Sequence, residues 1–199
     1  MEYNTWRKRI SNRTDMAARI THLTKGDNDE QAFENLWKIL CDKRLIGSGR
    51  NGYIVGNESA VCFQDMPLVS IAENLLFEDE LDNCIRYSWF GLRFNKVRMH
   101  RTGARPVIYG KTEELKSILP TTEYWRIVNL DLDEDNLVDW SHEREWRIKG
   151  DYQFNYNDIE ILVKNDEFYK KLIKKCLEEN RTDILLECNG IQVLNSIIF

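Results

Sequence analysis

"WSHEREWRI", residues 140–148, is the stretch on which the fold turns. In a strand, side chains alternate between faces, so Glu143, Glu145 and Arg147 share one side and Arg144, Trp146 and Ile148 the other. Trp146 and Ile148 are suited to burial, which reads as a sheet strand with one packed face. Two carboxylates and a guanidinium then stand together on the other face. Two readings fit them. Ion pairs from Glu143 or Glu145 to Arg147 or Arg105 on an exposed sheet face would be structural. A carboxylate lining a cleft beside cations would meet a polar ligand instead.

Working outward, "DEQAFENLWKILCDKRLIGSG" carries Phe33, Leu36, Trp37, Ile39 and Leu40 at helical spacing, with acids before and glycines after. "ARITHLT" before it reads as a short strand with His22 and Thr24 on its polar side, and "YIVGNESAVCF" after it as a hairpin turning at Gly56-Asn57. "PLVSIAENLLFEDEL" predicts a helix opening at Pro67, "TEELKSIL" a short helix with a Thr cap, and "DEFYKKLIKKCLEEN" an amphipathic helix. "YSWFGLRFNK", "ARPVIYG", "YWRIVNLDL", "HEREWRIKG", "DIEILVKN" and the final "IQVLNSIIF" read as strands. Strands in clusters with a few helices imply α+β, a largely antiparallel sheet flanked by helices rather than a parallel βαβ array. The 199 residues are read as a single domain, 1–199, with room for an N-terminal extension over 1–18.

Charge is segregated along the chain. The formal net charge is −5, so the whole molecule is not drawn to nucleic acid by its field. From Asn83 to Thr112, however, there are seven lysines or arginines and no acid, whereas acids crowd Asp131 to Asp139. Tyr87, Trp89, Phe90, Phe94 and Tyr109 are interleaved with those cations, and guanidinium beside aromatic rings suits phosphates and bases. A hairpin with aromatics inward and cations outward fits equally well. Arg98 and Arg101, flanking His100 in an expected loop, are the candidates for nucleic-acid contact.

Several classes are disfavoured. The five cysteines are scattered without a CxxC pair, and the three histidines are dispersed, so neither a disulfide framework nor a metal centre is expected. No apolar run is long enough to span a bilayer and "MEYNTWRKRI" has no leader pattern, which reads as cytoplasmic, with no membrane partner. "GSGRNG", Gly47 to Gly52, has G-x-G-x-x-G spacing, but a helix precedes it and β-rich residues follow, so it is read as a helix C-cap and turn. Arg50 within it could still reach a phosphate.

Short motifs in order carry a resemblance. "HLT…AFENLWKILCDKRLIGSG" and "EREWRI" followed by "DIEILVKNDEFYKKLI" resemble segments of DarT-type ADP-ribosyltransferases. "VCFQDMPL", "WFGLRFNK", "GARPVIYG" and "WSHEREWR" resemble AbiGi-type abortive-infection proteins of bacterial phage-defence loci. The resemblance implies an ADP-ribosyltransferase-like split sheet, NAD as substrate without a metal, and transfer to a macromolecular acceptor, nucleic acid slightly ahead of protein. It places Glu145 as catalytic glutamate, with Glu143 beside it, and His22 and Thr24 as NAD contacts. Arg50, Arg86, Tyr87 and Arg93 are the further cofactor-binding candidates, the arginines being alternatives for the pyrophosphate. The alternative it leaves open is a non-catalytic antitoxin or sensor of a toxin-antitoxin pair, holding a partner protein from the same defence locus.

Overall fold

A computed structural model of the chain describes residues 1–49, 53–80, 87–133 and 137–198. In chain order its first elements are α1 (Tyr3–Ser11), β1 (Arg19–Leu23), α2 (Asp29–Asp42), β2 (Arg44–Leu45), β3 (Ala60–Gln64) and α3 (Leu68–Glu80). They are followed by β4 (Gly91–Asn95), α4 (Lys96–Arg101), β5 (Arg105–Pro106), β6 (Ile108–Gly110), α5 (Thr112–Ile118) and β7 (Ile127–Asn129). Last come β8 (Glu145–Lys149), β9 (Tyr152–Gln153), β10 (Ile159–Val163), α6 (Asp166–Glu178), α7 (Thr182–Glu187) and β11 (Ile191–Val193). The fold is α+β, with mixed, mostly antiparallel strand pairing and flanking helices, as the clustering of strand patterns predicts.

The chain gathers into two compact units, Met1–Arg44 with Met66–Asn95 and Gln153–Phe199, and Leu45–Asp65 with Lys96–Tyr152. In the first, strands run in the order β11-β10-β4-β1. β4 is antiparallel to both β1 and β10, while β10 and β11 are parallel and joined through α6 and α7. β10 is buried at every position, which suits a strand with neighbours on both sides. α3 lays Ile71, Ala72 and Leu75 against Leu23, Trp89 and Leu162. Phe33 of α2, Phe90 and Phe168 of α6 form an aromatic cluster, the Phe90 and Phe168 centroids 4.8 Å apart edge to face. Asn28 and Asn165 cap α2 and α6, each accepting from the backbone N–H three residues on.

In the second unit, β3, β8 and β5 lie side by side in that order, all antiparallel. β6 and β7 form a separate parallel pair. Ile54, Ala60 and Trp125 are packed together, with Cys62 against them.

Several local expectations are corrected. The run Tyr53 to Val55 is not a strand; Tyr53 takes φ +64, which a ladder residue cannot, so the expected hairpin does not form. α2 ends in a left-handed Lys43 rather than at a glycine, and Gly47 instead donates its N–H to the Asp151 carboxylate at 2.8 Å. "ARPVIYG" is split into two short strands, with the Val107 N–H between them bonded to the Glu145 carbonyl. The first half of "YWRIVNLDL" is a 3-10 turn, Thr121–Arg126. α5 is capped not by Thr112 but from outside, the Asn129 side chain accepting from both the N–H and the hydroxyl of Thr112. Arg98 and Arg101 lie on α4, not in a loop. Lys96 and Met99, three apart and both buried, give that segment an inner side, and Gly103 at φ +111 lets the Ala104 N–H return to the Met99 carbonyl and close the helix.

The closest backbone approach in the first unit is at Gly91, where an added Cβ would lie 2.2 Å from the His22 carbonyl oxygen. Gly91→Ala must push β1 and β4 apart and is expected to destabilise by about 1–3 kcal/mol. Urea unfolding followed by circular dichroism measures it, and an unchanged midpoint would contradict the tight pairing.

Candidate functional site

The chemistry of the second unit is concentrated on one face of β8. Arg144 is in the left-handed region at φ +48, so the strand's alternation begins only at Glu145. Glu145 and Arg147 therefore share a face as expected, while Glu143 reaches the cluster from the 3-10 turn Ser141–Glu143 that precedes the strand. Both glutamates are buried, at 7% exposure for Glu143 and 8% for Glu145. Ile148 is buried on the opposite face, and Trp146 stands edge-on to His100 at 6.3 Å.

The ion pair of the structural reading exists, but it is not on an exposed face. Arg147 Nε donates to Glu145 Oε1 at 2.8 Å and Arg147 Nη2 to Oε2 at 3.0 Å, a two-pronged contact. Arg147 Nη1 donates to the carbonyls of Trp125 at 2.8 Å and Ile127 at 3.1 Å. Burial opposes the guanidinium charge, yet the adjacent Glu145 carboxylate and its hydrogen bonds outweigh this and hold Arg147 protonated. The backbone N–H of Glu145 donates to the Tyr109 hydroxyl at 2.8 Å. Burial, assisted by the charges of Glu145 and Glu143, pushes that phenol up to about 12, so it is neutral at physiological pH.

Residues not singled out in the sequence complete the cluster. Cys62 of β3 is directly across from Arg147, and Gln64 directly across from Glu145, on the same face of the antiparallel pair. Burial first, and the Glu145 charge next, drive the Cys62 thiol far above its ordinary range, which makes it an inert neutral group. Gln64 is 4% exposed, and neither its Oε1 nor its Nε2 has a hydrogen-bond partner among the described residues. An amide so placed costs about 1–3 kcal/mol relative to a satisfied one. Period-two counting across "AVCFQ" would have put Cys62 and Gln64 on one face, but nothing in the sequence pairs that face with Glu145.

The remaining NAD-contact candidates belong to the first unit or lie outside the described residues, as Arg50 and Arg86 do. His22 is half-buried on the β1 face shared with Ile20 and, across the ladder, with Leu92 and Phe94. Thr24, just beyond β1, is buried; its hydroxyl is 2.7 Å from the Ser88 hydroxyl and donates to the Phe90 carbonyl at 3.1 Å. Tyr87 packs against the apolar cluster under α3. Arg93 pairs in register with Thr21, on the face opposite His22, so β1 and β4 do not bring His22 and Arg93 together. Arg93 Nη1 donates to Glu160 Oε2 at 2.9 Å, and Arg19 binds the other oxygen of Glu160 at 2.8 Å. Burial, and then the nearby Arg19 charge against the pull of Glu160, leaves the Arg93 pKa below its ordinary value. Arg98 and Arg101 are exposed on α4. Among the described residues no three His, Cys, Asp or Glu side chains are grouped as metal ligands, and no helix is long and apolar enough to cross a membrane.

No protein-family model, no curated protein and no solved structure matches the chain.

The Glu145–Arg147 contact generates a stability prediction. Arg147→Met leaves a buried carboxylate without its partner and is expected to destabilise by roughly 3–5 kcal/mol. Adding Glu145→Met restores much of that loss, because two apolar groups of similar length replace the pair. Urea unfolding of the two singles and the double gives the coupling, and additive losses would show that the contact carries no energy.

Proposed function

We propose that the Glu145 face holds the ribose of a dinucleotide and that the chain is an NAD-dependent ADP-ribosyltransferase-like protein of bacterial phage defence, transferring ADP-ribose to a macromolecule. The observation that carries this reading is a buried carboxylate locked in one orientation beside a second buried carboxylate. A carboxylate has about four acceptor positions, and Arg147 occupies two of those on Glu145, leaving others for sugar hydroxyls.

Cleaving the bond between C1′ of the ribose and the nicotinamide nitrogen sends the electron pair to the ring, which leaves neutral, and builds positive charge on the sugar. Glu145 is positioned to stabilise that charge, with no reorganisation needed because Arg147 already fixes it. The acceptor's nucleophile then bonds to C1′, and Glu143 is the group assigned to take its proton.

Glu145→Gln keeps the side-chain volume and removes the charge. With the folded fraction checked by circular dichroism, transfer of label from NAD to RNA, DNA or protein of a bacterial lysate is expected to fall at least about 100-fold. A wild-type protein that neither binds NAD nor labels any of the three sinks the reading. The second reading, a non-catalytic antitoxin or sensor, draws on the same contact, since both Glu145 oxygens are already paired within the protein. It expects a stoichiometric complex with a neighbouring gene product that survives Glu145→Gln.

Nucleic acid is the acceptor favoured by α4, where Arg98, His100 and Arg101 are exposed and the His100 ring stands edge-on to Trp146. Replacing Arg98 and Arg101 by Glu is expected to weaken RNA or DNA binding at low salt and flatten a salt dependence of about two to four powers of concentration. Filter binding over a salt series measures it; salt-independent binding moves the acceptor to protein.

A further inference from the structure

We propose that Gln64 is the ligand-reading residue of the Glu145 cluster, its amide pairing with the amide-like edge of a planar ring, a donor beside an acceptor, such as the carboxamide of nicotinamide. The choice of nicotinamide rests on the dinucleotide reading above; the demand for a donor–acceptor edge rests on Gln64 itself.

Gln64 ends β3 with its Cα in register with Glu145, so the two side chains rise from the same face. Its amide is buried and its oxygen and nitrogen are both without partners among the described residues. The neighbours do not answer that demand. Glu145 and Arg147 bond to each other and Arg147 to two backbone carbonyls, none of them to Gln64, and the Cys62 thiol is a weak donor kept neutral. A buried amide that its described neighbours leave unmatched can take its hydrogen bonds from a ligand group.

The amide also selects the ligand. A glutamine presents one acceptor and two donors in a plane, and the complement is a group with one donor and one acceptor side by side, as in the paired contact of glutamine with a base edge. A phosphate offers acceptors only and would leave the Gln64 oxygen unpaired. A metal cation would take the amide oxygen and leave the N–H groups unpaired. Sugar hydroxyls are the donors that an acceptor-only carboxylate requires, so they fall to Glu145. The residue one strand away then meets the ring that the sugar carries.

Calorimetric titration with NAD and with its 3-acetylpyridine analogue tests the assignment, because the analogue keeps the carbonyl acceptor and replaces the amide nitrogen by a methyl. Wild-type protein is expected to bind NAD roughly ten- to a hundredfold more tightly than the analogue. In Gln64→Met the preference is expected to vanish, with NAD binding as weakly as the analogue. Ligand-free Gln64→Met is expected to melt no lower than wild type, since an unsatisfied amide is exchanged for an apolar side chain. A melting point lower by more than roughly 4 °C would show that the amide has a partner inside the protein and would overturn the proposal. So would an undiminished preference for NAD in the variant. If wild-type protein takes up neither dinucleotide, the transferase reading fails, and free nicotinamide and adenine become the probes. Binding of either that is lost in Gln64→Met sustains the assignment of Gln64, and binding of neither overturns it.

Discussion

A carboxylate and a guanidinium taken out of water together constrain everything around them. Each loses hydration worth several kcal/mol, and only near-ideal mutual geometry with every remaining donor satisfied offsets the loss. Here the two-residue spacing of Glu145 and Arg147 supplies the geometry, and the carbonyls of Trp125 and Ile127 take the third guanidinium nitrogen. The register of β3 on β8 cannot slip by one residue without turning both charges to the face of Val61 and Phe63. The 3-10 turn Thr121–Arg126 must likewise stop where it does, because its Trp125 carbonyl is committed to Arg147.

The first unit solves a similar problem differently. Glu160 is shared between Arg19 and Arg93, and Arg93 is left with a buried Nε that has no partner among the described residues, beside a Thr21 hydroxyl in the same condition. One carboxylate is stretched over two guanidiniums there, whereas Glu145 is dedicated to one. The second arrangement fixes a carboxylate in a single orientation; the first leaves one of its arginines less firmly charged.

Long periodic segments were legible in the sequence. α2 and α6 follow from apolar spacing, and β1 and β8 from alternation, because those patterns report which face is buried. The short elements were not, since they are held by partners far along the chain. α5 is capped by Asn129, β6 finds its parallel neighbour in β7, and Tyr53 adopts a left-handed backbone that no side-chain pattern announces. The carboxylates of the candidate site were visible as an oddity of "EREWR". Gln64, Cys62 and Tyr109 were hidden because they meet Glu145 only through strand register and a phenol-to-backbone bond.

The segment composition of the two units bears on the order of synthesis. All of the second unit has been made once Tyr152 is added, whereas the first unit, though it includes residue 1, still lacks β10 and β11. β4 pairs with β10 along one edge, so until Gln153 and its successors leave the ribosome that edge has no strand to receive its hydrogen bonds. At about 5–20 residues per second, this leaves the apolar surface of Leu92 and Phe94 uncovered for seconds during translation. The unit whose segments begin earlier in the chain is thus completed later, and its exposure during growth is set by how quickly the ribosome traverses the codons from Gln153 to Val193.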